Sequence, residues 1–124
     1  MSIGYSRVFL IGNVGKEPAV SRGPNGTLRA RFQVAVDRAQ KTQDEERQTA
    51  TDWFPVVAWG RTAEICRQFL SRGSLVFISG QLQVRKWEDP DGGWHAITEV
   101  NAYQVILLGQ LESEATECVE SEND

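Results

Sequence analysis

Four tryptophans and a set of arginines are the side chains of this sequence best suited to binding a ligand. Trp53 and Trp59 lie six residues apart in TDWFPVVAWG (51–60), and an even spacing places both side chains on one face of a strand. The two indoles could lie in a core or on a surface, and this stretch alone leaves both arrangements open. On a surface, the indoles would stack on flat groups, and cations nearby would attract anions.

A second extended stretch favours the surface. In SGQLQVRKWE (79–88), Leu82 and Val84 alternate with residues of the opposite face, which are Gln81, Gln83, Arg85 and Trp87. Glutamine and arginine are poor core residues, so the face that carries Trp87 is predicted to meet solvent. Trp94 follows across the turn DPDGG (89–93), and we expect it to extend the same hairpin surface.

The alternating stretch TLRARFQVAVD (27–37) adds Arg29 and Arg31 on its polar face. Aromatic rings interleaved with cations match the needs of a single-stranded nucleic acid, whose unstacked bases offer flat faces without any sequence requirement. Cations contact the phosphates and release counterions. A duplex hides its bases, so the pattern predicts a surface for single strands.

Five extended segments and one helix must position these residues. Strands are predicted over 6–14, 27–37, 51–60, 74–88 and 94–109, with a bulge or bend at Gly80. A helix is predicted between Gly60 and Gly73, with Thr62 as its N-cap and Gly73 ending it. The polar stretch 38–51 is predicted to be a long, mobile hairpin loop.

This order of elements fits a small closed barrel better than a sandwich. We predict an all-β fold: a five-stranded oligonucleotide/oligosaccharide-binding (OB) barrel with one helix between the third and fourth strands. The 124-residue chain is expected to form one domain, 1–109, followed by a short acidic disordered tail, 110–124.

The distribution of charge separates the tail from the rest of the chain. The net charge is −4, but six acidic residues and no Lys or Arg lie from Gln110 onward. The remaining 109 residues hold 13 basic and 11 acidic side chains, so the predicted domain is mildly basic. An acidic total therefore does not exclude a polyanionic partner.

Catalytic and metal chemistry have little support in the sequence. His95 is the only histidine, and Cys66 and Cys118 lie 52 positions apart without a CxxC pair. We expect a buried Cys66, a Cys118 in the tail, no enzymatic activity, no metal and no cofactor. The start lacks a signal pattern, and no apolar run approaches about 20 residues. A cytoplasmic, nucleoid-associated protein without membrane contact is expected.

Several blocks, in order, resemble the bacterial-type single-stranded DNA-binding proteins. They are RVFLIGNVGKEP (7–18), PNG (24–26), TDWFPVVAWGRTAEI (51–65), LSRGSLVFISGQLQVRKWED (70–89) and TEV (98–100). The resemblance implies an OB-fold, assembled as a homotetramer or an equivalent dimer of four barrels. It also implies wrapping of single-stranded DNA during replication, recombination and repair.

The resemblance also implies roles for individual residues. Stacking is expected from three tryptophans: Trp53, Trp59 and Trp87. Phosphate contacts are expected from five basic residues: Arg7, Arg61, Arg72, Arg85 and Lys86. The residue pattern itself adds Trp94, Arg29 and Arg31 to this nucleic-acid-binding set.

The chain departs from the family pattern at two places. Asp37, Arg38 and Ala39 stand where many members carry a further stacking tryptophan, so one platform is missing. The printed sequence ends SEND rather than in a long linker with a Pro-Phe tip, so recruitment of replication and repair proteins through such a tip is not supported. The alternative function is an OB-fold interaction module, such as a primosome-type accessory protein, that uses the same surface to hold proteins.

Overall fold

A computed structural model describes residues 3–41 and 47–110. It contains one helix and six strands: β1 (Val8–Val14), β2 (Ala19–Arg22), β3 (Leu28–Lys41), β4 (Arg47–Trp59), α1 (Gly60–Phe69), β5 (Ser74–Glu88) and β6 (Trp94–Gln110). The predicted acidic tail beyond residue 110, with Cys118, lies outside the described residues. Among the described residues no helix is long and apolar enough to cross a membrane.

Five of the strands close into a barrel. Their order is β1-β5-β6-β4-β3, and β1 returns to β3 through the pairs Asn13–Ala35 and Val14–Val34. The helix connects β4 to β5, which are the third and fourth of the predicted strands. The predicted five-stranded OB barrel is therefore confirmed. The short strand β2 pairs with β3 from Ala19–Arg31 to Arg22–Leu28 and was not predicted, because all four of its residues are exposed and show no apolar alternation.

The barrel interior follows the predicted alternation. Ala30, Phe32 and Val34 of β3 point inward and pack with Val56 and Ala58 of β4. Cys66 of α1 is buried beside them, as expected, and burial raises the pKa of its thiol to about 12. The helix thus covers the barrel with a small apolar face and leaves the strands to carry the polar surface.

The predicted bend at Gly80 is also present. The pairing of β5 with β6 shifts register between Ser79 and Gly80, and a Cβ on Gly80 would overlap the carbonyl of Asn101. Before Gly80, β5 lines the core with Val76 and Ile78. After Gly80, Leu82 and Val84 are exposed, so the far half of the β5–β6 hairpin extends beyond the barrel.

Two local predictions were wrong. The stretch 38–51 is not all loop, because β3 continues to Lys41 and β4 begins at Arg47; only residues 42–46 lie outside the described residues. The helix does not begin at Thr62: Trp59 is the N-cap residue, without a capping side-chain hydrogen bond. It also ends before Gly73, with Leu70 as C-cap. Gly73, at φ 90°, forms the following turn and donates its N–H to the carbonyl of Val14.

Candidate nucleic-acid interface

The outward side of β3, β4, β5 and β6 forms one continuous surface, which we call the outer sheet face. Cross-strand pairs place its main residues: Arg29 opposite Trp59, Arg31 opposite Val57, Ala35 opposite Trp53, and Trp87 opposite His95. Directly opposed residues share a face. The structure therefore brings three of the four tryptophans and three arginines of the predicted set onto one side of the barrel.

Trp53 lies at one end of the outer sheet face with 54% of its surface exposed. Its ring lies so close to Gly15 that a Cβ there would be 2.5 Å from it. Trp53 lines an open cavity of about 680 Å³ together with Arg31, Arg72 and Lys16. The cavity thus combines an exposed ring with three cations and one acid, Glu17. Lys16 and Glu17 were not predicted from the sequence, because they lie in the connection between β1 and β2 and follow no strand alternation.

Trp59 is half-buried at the start of α1, and its exposed side carries a cation. The Arg29 guanidinium lies 5.7 Å from the ring centroid. Both Nε and Nη2 of Arg29 donate to the hydroxyl of Ser21, at 3.2 and 2.9 Å. Ser21 belongs to β2, so the strand that the sequence pattern missed fixes the position of this arginine. Gly23 lies against the same indole, which a Cβ would approach to 2.8 Å.

Trp87 lies on the extended hairpin and contacts one cation and one further ring. The Arg85 guanidinium is 4.6 Å from the ring centroid of Trp87. The His95 imidazole stacks on Trp87, with the ring centroids 5.4 Å apart and an angle of 24° between the ring planes. His95 Nε2 forms a 2.6 Å hydrogen bond with Asp89. This bond, with the N–H groups of Gly93 and Asp91, lowers the pKa of the Asp89 carboxyl. The hairpin turn and the indole are thus joined through one histidine.

A buried carboxylate lies in the middle of the outer sheet face. Glu99 of β6 is only 2% exposed and accepts hydrogen bonds from Arg31 at 3.1 Å, Gln83 at 3.3 Å and Arg85 at 3.5 Å. The Arg31–Glu99 bridge spans β4, because Arg31 pairs with Val57 on one side of that strand and β6 lies on the other. Val57 is fully buried there, although it lies on the same side of β4 as Trp53 and Trp59.

Trp94 and Lys86 lie on the other side of the hairpin, which corrects the expectation of a single hairpin surface. Trp94 pairs with Glu88 and Lys86 pairs with Ala96, whereas Trp87 pairs with His95. Neighbouring residues of a strand point to opposite faces, so Trp94 faces away from Trp87. Trp94 is 71% exposed, and with Lys86 and Ala96 it lines a shallow depression that also reaches His95.

The remaining predicted cations lie at the margins. Arg7 precedes β1 with its guanidinium 5.6 Å from the ring of Tyr103, whose hydroxyl donates to Gln81 of the outer sheet face. Arg61 is exposed in the first turn of α1. Arg38, at the position of the missing tryptophan, is paired with Asp52 at 2.7 Å. In the part of the chain that the structure describes, no cluster of three or more His, Cys, Asp or Glu residues could hold a metal.

Comparison with known proteins identifies the family that shares these features. A sequence model of the single-strand binding protein family matches residues 5–114. The chain belongs to the single-strand binding protein family. Single-stranded DNA-binding protein 1 of Chlorobaculum tepidum is 34% identical over 114 residues, which are 91% of this chain and 70% of that protein.

Two solved structures of single-strand binding proteins share the barrel. The Plasmodium falciparum protein in complex with single-stranded DNA superposes with a TM-score of 0.78 at 26% identity, covering 87% of this chain and 98% of that one. A deletion mutant of the Thermus aquaticus single-stranded DNA-binding protein gives a TM-score of 0.73, also at 26% identity, covering 91% of this chain. This chain spans 53% of the length of the Thermus protein.

Proposed function

We propose that the outer sheet face binds single-stranded DNA by stacking bases on Trp53, Trp59 and Trp87. The observation that carries the proposal is the presence of three indoles on one face, two of which have a guanidinium over the ring. Stacking on an aromatic ring contributes about 1–3 kcal/mol per base and does not read the sequence. Binding is therefore tolerant of sequence and favours strands whose bases are unpaired.

The phosphates are contacted by the cations around these rings. Arg29 and Arg85 lie on the indoles, Arg31 and Arg72 line the cavity beside Trp53, and Arg61 follows Trp59. Arg7 extends the basic margin towards β1. Trp94 and Lys86 form a separate contact for a strand that passes around the hairpin, because they lie on its opposite side.

The proposed role is protection of exposed strands in DNA replication, recombination and repair, without catalysis. Family membership supports this role, as does the similarity to a Plasmodium falciparum protein whose structure was solved with single-stranded DNA. Base stacking holds a strand without altering it, and this fits a non-catalytic protein that covers exposed strands.

The protein is also proposed to act as a homotetramer. An apolar outer patch supports this assembly and consists of Phe9 and Ile11 of β1, Phe77 of β5 and Ile106 of β6. The rings of Phe9 and Phe77 stack with their centroids 6.1 Å apart. Phe9, Ile11 and Ile106 remain exposed. Exposed apolar patches of this kind mark interfaces.

Titration with labelled oligo-dT tests the proposed function. We expect quenching of tryptophan fluorescence by oligo-dT, weaker binding of a duplex, and an affinity that falls by about 0.7 log units per log unit of salt for each phosphate contacted. A parallel titration with oligo-U measures the preference for DNA over RNA. Absence of quenching at low salt, or equal affinity for the duplex, would contradict the proposal.

The double variant Trp53→Ala/Trp87→Ala separates DNA binding from the alternative, a protein-interaction module. We expect oligo-dT affinity to fall by about a hundredfold, since two stacking contacts are lost, while the oligomer remains intact. Phe69→Ala is a matched control, because Phe69 is an exposed aromatic on α1 rather than on the outer sheet face. The reverse result, unchanged DNA affinity with loss of the oligomer, would favour the interaction module.

A further inference from the structure

Glu99 is an unusual residue for a surface that is meant to attract phosphates. It is an acid on the outer sheet face, it is 2% exposed, and it does not belong to the apolar core. A carboxylate removed from water must be paired and hydrogen-bonded, and its partners here come from two other strands: Arg31 from β3, and Gln83 and Arg85 from β5. The carboxylate therefore joins three strands of the proposed DNA surface.

Each arginine that contacts Glu99 also lies beside a stacking tryptophan. Arg85 has its guanidinium 4.6 Å from the Trp87 ring centroid, and Arg31 lines the cavity that contains Trp53. The two arginine side chains remain about one third to two fifths exposed, at 32% and 41%, so each guanidinium can still contact a ligand. The carboxylate is covered, whereas its two cations are accessible.

We propose that Glu99 is a positioning residue that holds Arg31 and Arg85 ready for the phosphates of single-stranded DNA. Free arginine side chains sample many rotamers, and two neighbouring guanidinium groups repel each other. One shared carboxylate removes both difficulties and still leaves the group of three with a net charge of +1. The inference deepens the proposed function and rests on it.

The proposal predicts a change in DNA affinity that is opposite in sign to the change expected from charge alone. Glu99→Gln removes a negative charge from a phosphate-binding surface, which by charge alone would strengthen binding. If Glu99 positions the arginines, the variant instead binds oligo-dT roughly tenfold more weakly, because an amide oxygen without charge holds the two guanidinium groups less strongly than a carboxylate does. Glu64→Gln is the matched control, because Glu64 pairs with Arg67 on α1 and touches no arginine of the outer sheet face.

A spectroscopic measurement on the DNA-free protein distinguishes positioning from a general structural role. In Glu99→Gln, the indole N–H signal of Trp87 should shift because Arg85 leaves its ring. The signal of Trp94, on the opposite side of the hairpin, should not shift. Unchanged or tighter oligo-dT binding by a folded Glu99→Gln protein would overturn the proposal, as would a Trp87 signal that stays in place.

Two further variants decide the matter if Glu99→Gln does not fold. Arg31→Lys and Arg85→Lys keep the charge at partly exposed positions, but an ammonium cannot reproduce the planar geometry of a guanidinium. Both should bind oligo-dT several-fold more weakly, and unchanged affinity would overturn the proposal. The proposed function fails separately, if the Trp53→Ala/Trp87→Ala protein binds oligo-dT as tightly as the parent.

Discussion

At the scale of the residue, the positions of Trp53 and Trp59 depend on glycines in neighbouring connections. The ring of Trp53 lies over Gly15, and the ring of Trp59 lies over Gly23. A side chain at either glycine would occupy the space of the indole. Each of these two rings therefore lies against the backbone of a connecting segment, which limits the orientations that the ring can adopt.

Substitution of Gly15 tests this support. In Gly15→Ala the new Cβ would lie 2.5 Å from the Trp53 ring, so the ring must move. We expect oligo-dT affinity to fall about fivefold to tenfold, within the range of one weakened stacking contact, and the emission of Trp53 to change. Gly109→Ala is the control, because no atom lies within 4 Å of the added Cβ. Equal losses in both variants would contradict the argument.

Sequence patterns predicted the exposure of single residues better than their partners. Trp87 was placed on the surface because Gln83 and Arg85 share its face. The Arg31–Glu99 bridge could not be foreseen, since it joins residues 68 positions apart across an intervening strand. The orientation of Trp94 depends on the register of the turn: Asp89–Gly93 forms a five-residue connection that pairs Glu88 with Trp94 and so turns Trp94 away from Trp87.

At the scale of the element, the β5–β6 hairpin holds its shape at the tip through one carboxylate. Asp89 accepts the N–H groups of Asp91 at 3.0 Å and Gly93 at 2.9 Å and also bonds His95. These bonds lower the pKa of Asp89. Because the folded pKa is depressed, the stabilisation is present above the ordinary aspartate pKa of about 4 and is lost as the pH falls through the lower folded value.

Hydrogen exchange measures this loss at the hairpin tip. We expect the amide of Gly93 to lose protection as the pH is lowered below about 4, after correction for the intrinsic exchange rate. Asp89→Asn should abolish the pH dependence, because its amide does not titrate in this range. A wild-type amide whose corrected protection stays constant to low pH would show that the Asp89 contacts do not stabilise the turn.

Strand β5 has a second environment before Gly80, where it forms part of the core. Ile78 is fully buried, whereas Val84 beyond the bend is exposed. Ile78→Ala should lower the free energy of unfolding by about 2–5 kcal/mol, the usual result of emptying a packed site. Val84→Ala should change it by less than about 0.5 kcal/mol. Denaturant unfolding of both variants checks the contrast, and similar losses would contradict the division of β5 at Gly80.

Elements with an apolar face were predicted well, and elements without one were not. The core face of β3 gave clear alternation, and the barrel was predicted from the order of the elements. The far ends of the same strands were predicted as loop because their side chains are polar on both faces. Cross-strand bonds hold those ends together instead: Arg38 bonds Asp52 and the Thr51 hydroxyl donates to Asp37, both at 2.7 Å. Such pairs depend on a register that composition does not reveal.

At the scale of the whole molecule, the barrel has two differently built outer surfaces. The outer sheet face carries indoles and cations, whereas the apolar outer patch around β1 carries Phe9 and Ile11. One edge of β1 is also open: β3 pairs with it only at Asn13 and Val14, so residues 8–12 have no strand partner on that side among the described residues. Both features suit contact with another copy of the chain.

The proposed assembly through the apolar outer patch can therefore be tested without disturbing the proposed DNA surface. Ile11→Glu places a charge at an exposed position in the middle of the patch, and burying that charge in an interface would be costly. We expect light scattering to give a smaller mass than that of the parent, for which a tetramer is proposed, with each barrel still folded. Val84→Glu makes the same change at an exposed position outside the patch and should leave the mass unaltered.

A parent protein that is monomeric, or an Ile11→Glu protein of unchanged mass, would show that the patch is not the interface. Weaker wrapping of long strands by Ile11→Glu, with short oligo-dT bound normally, would then separate the contribution of the assembly from that of the single barrel.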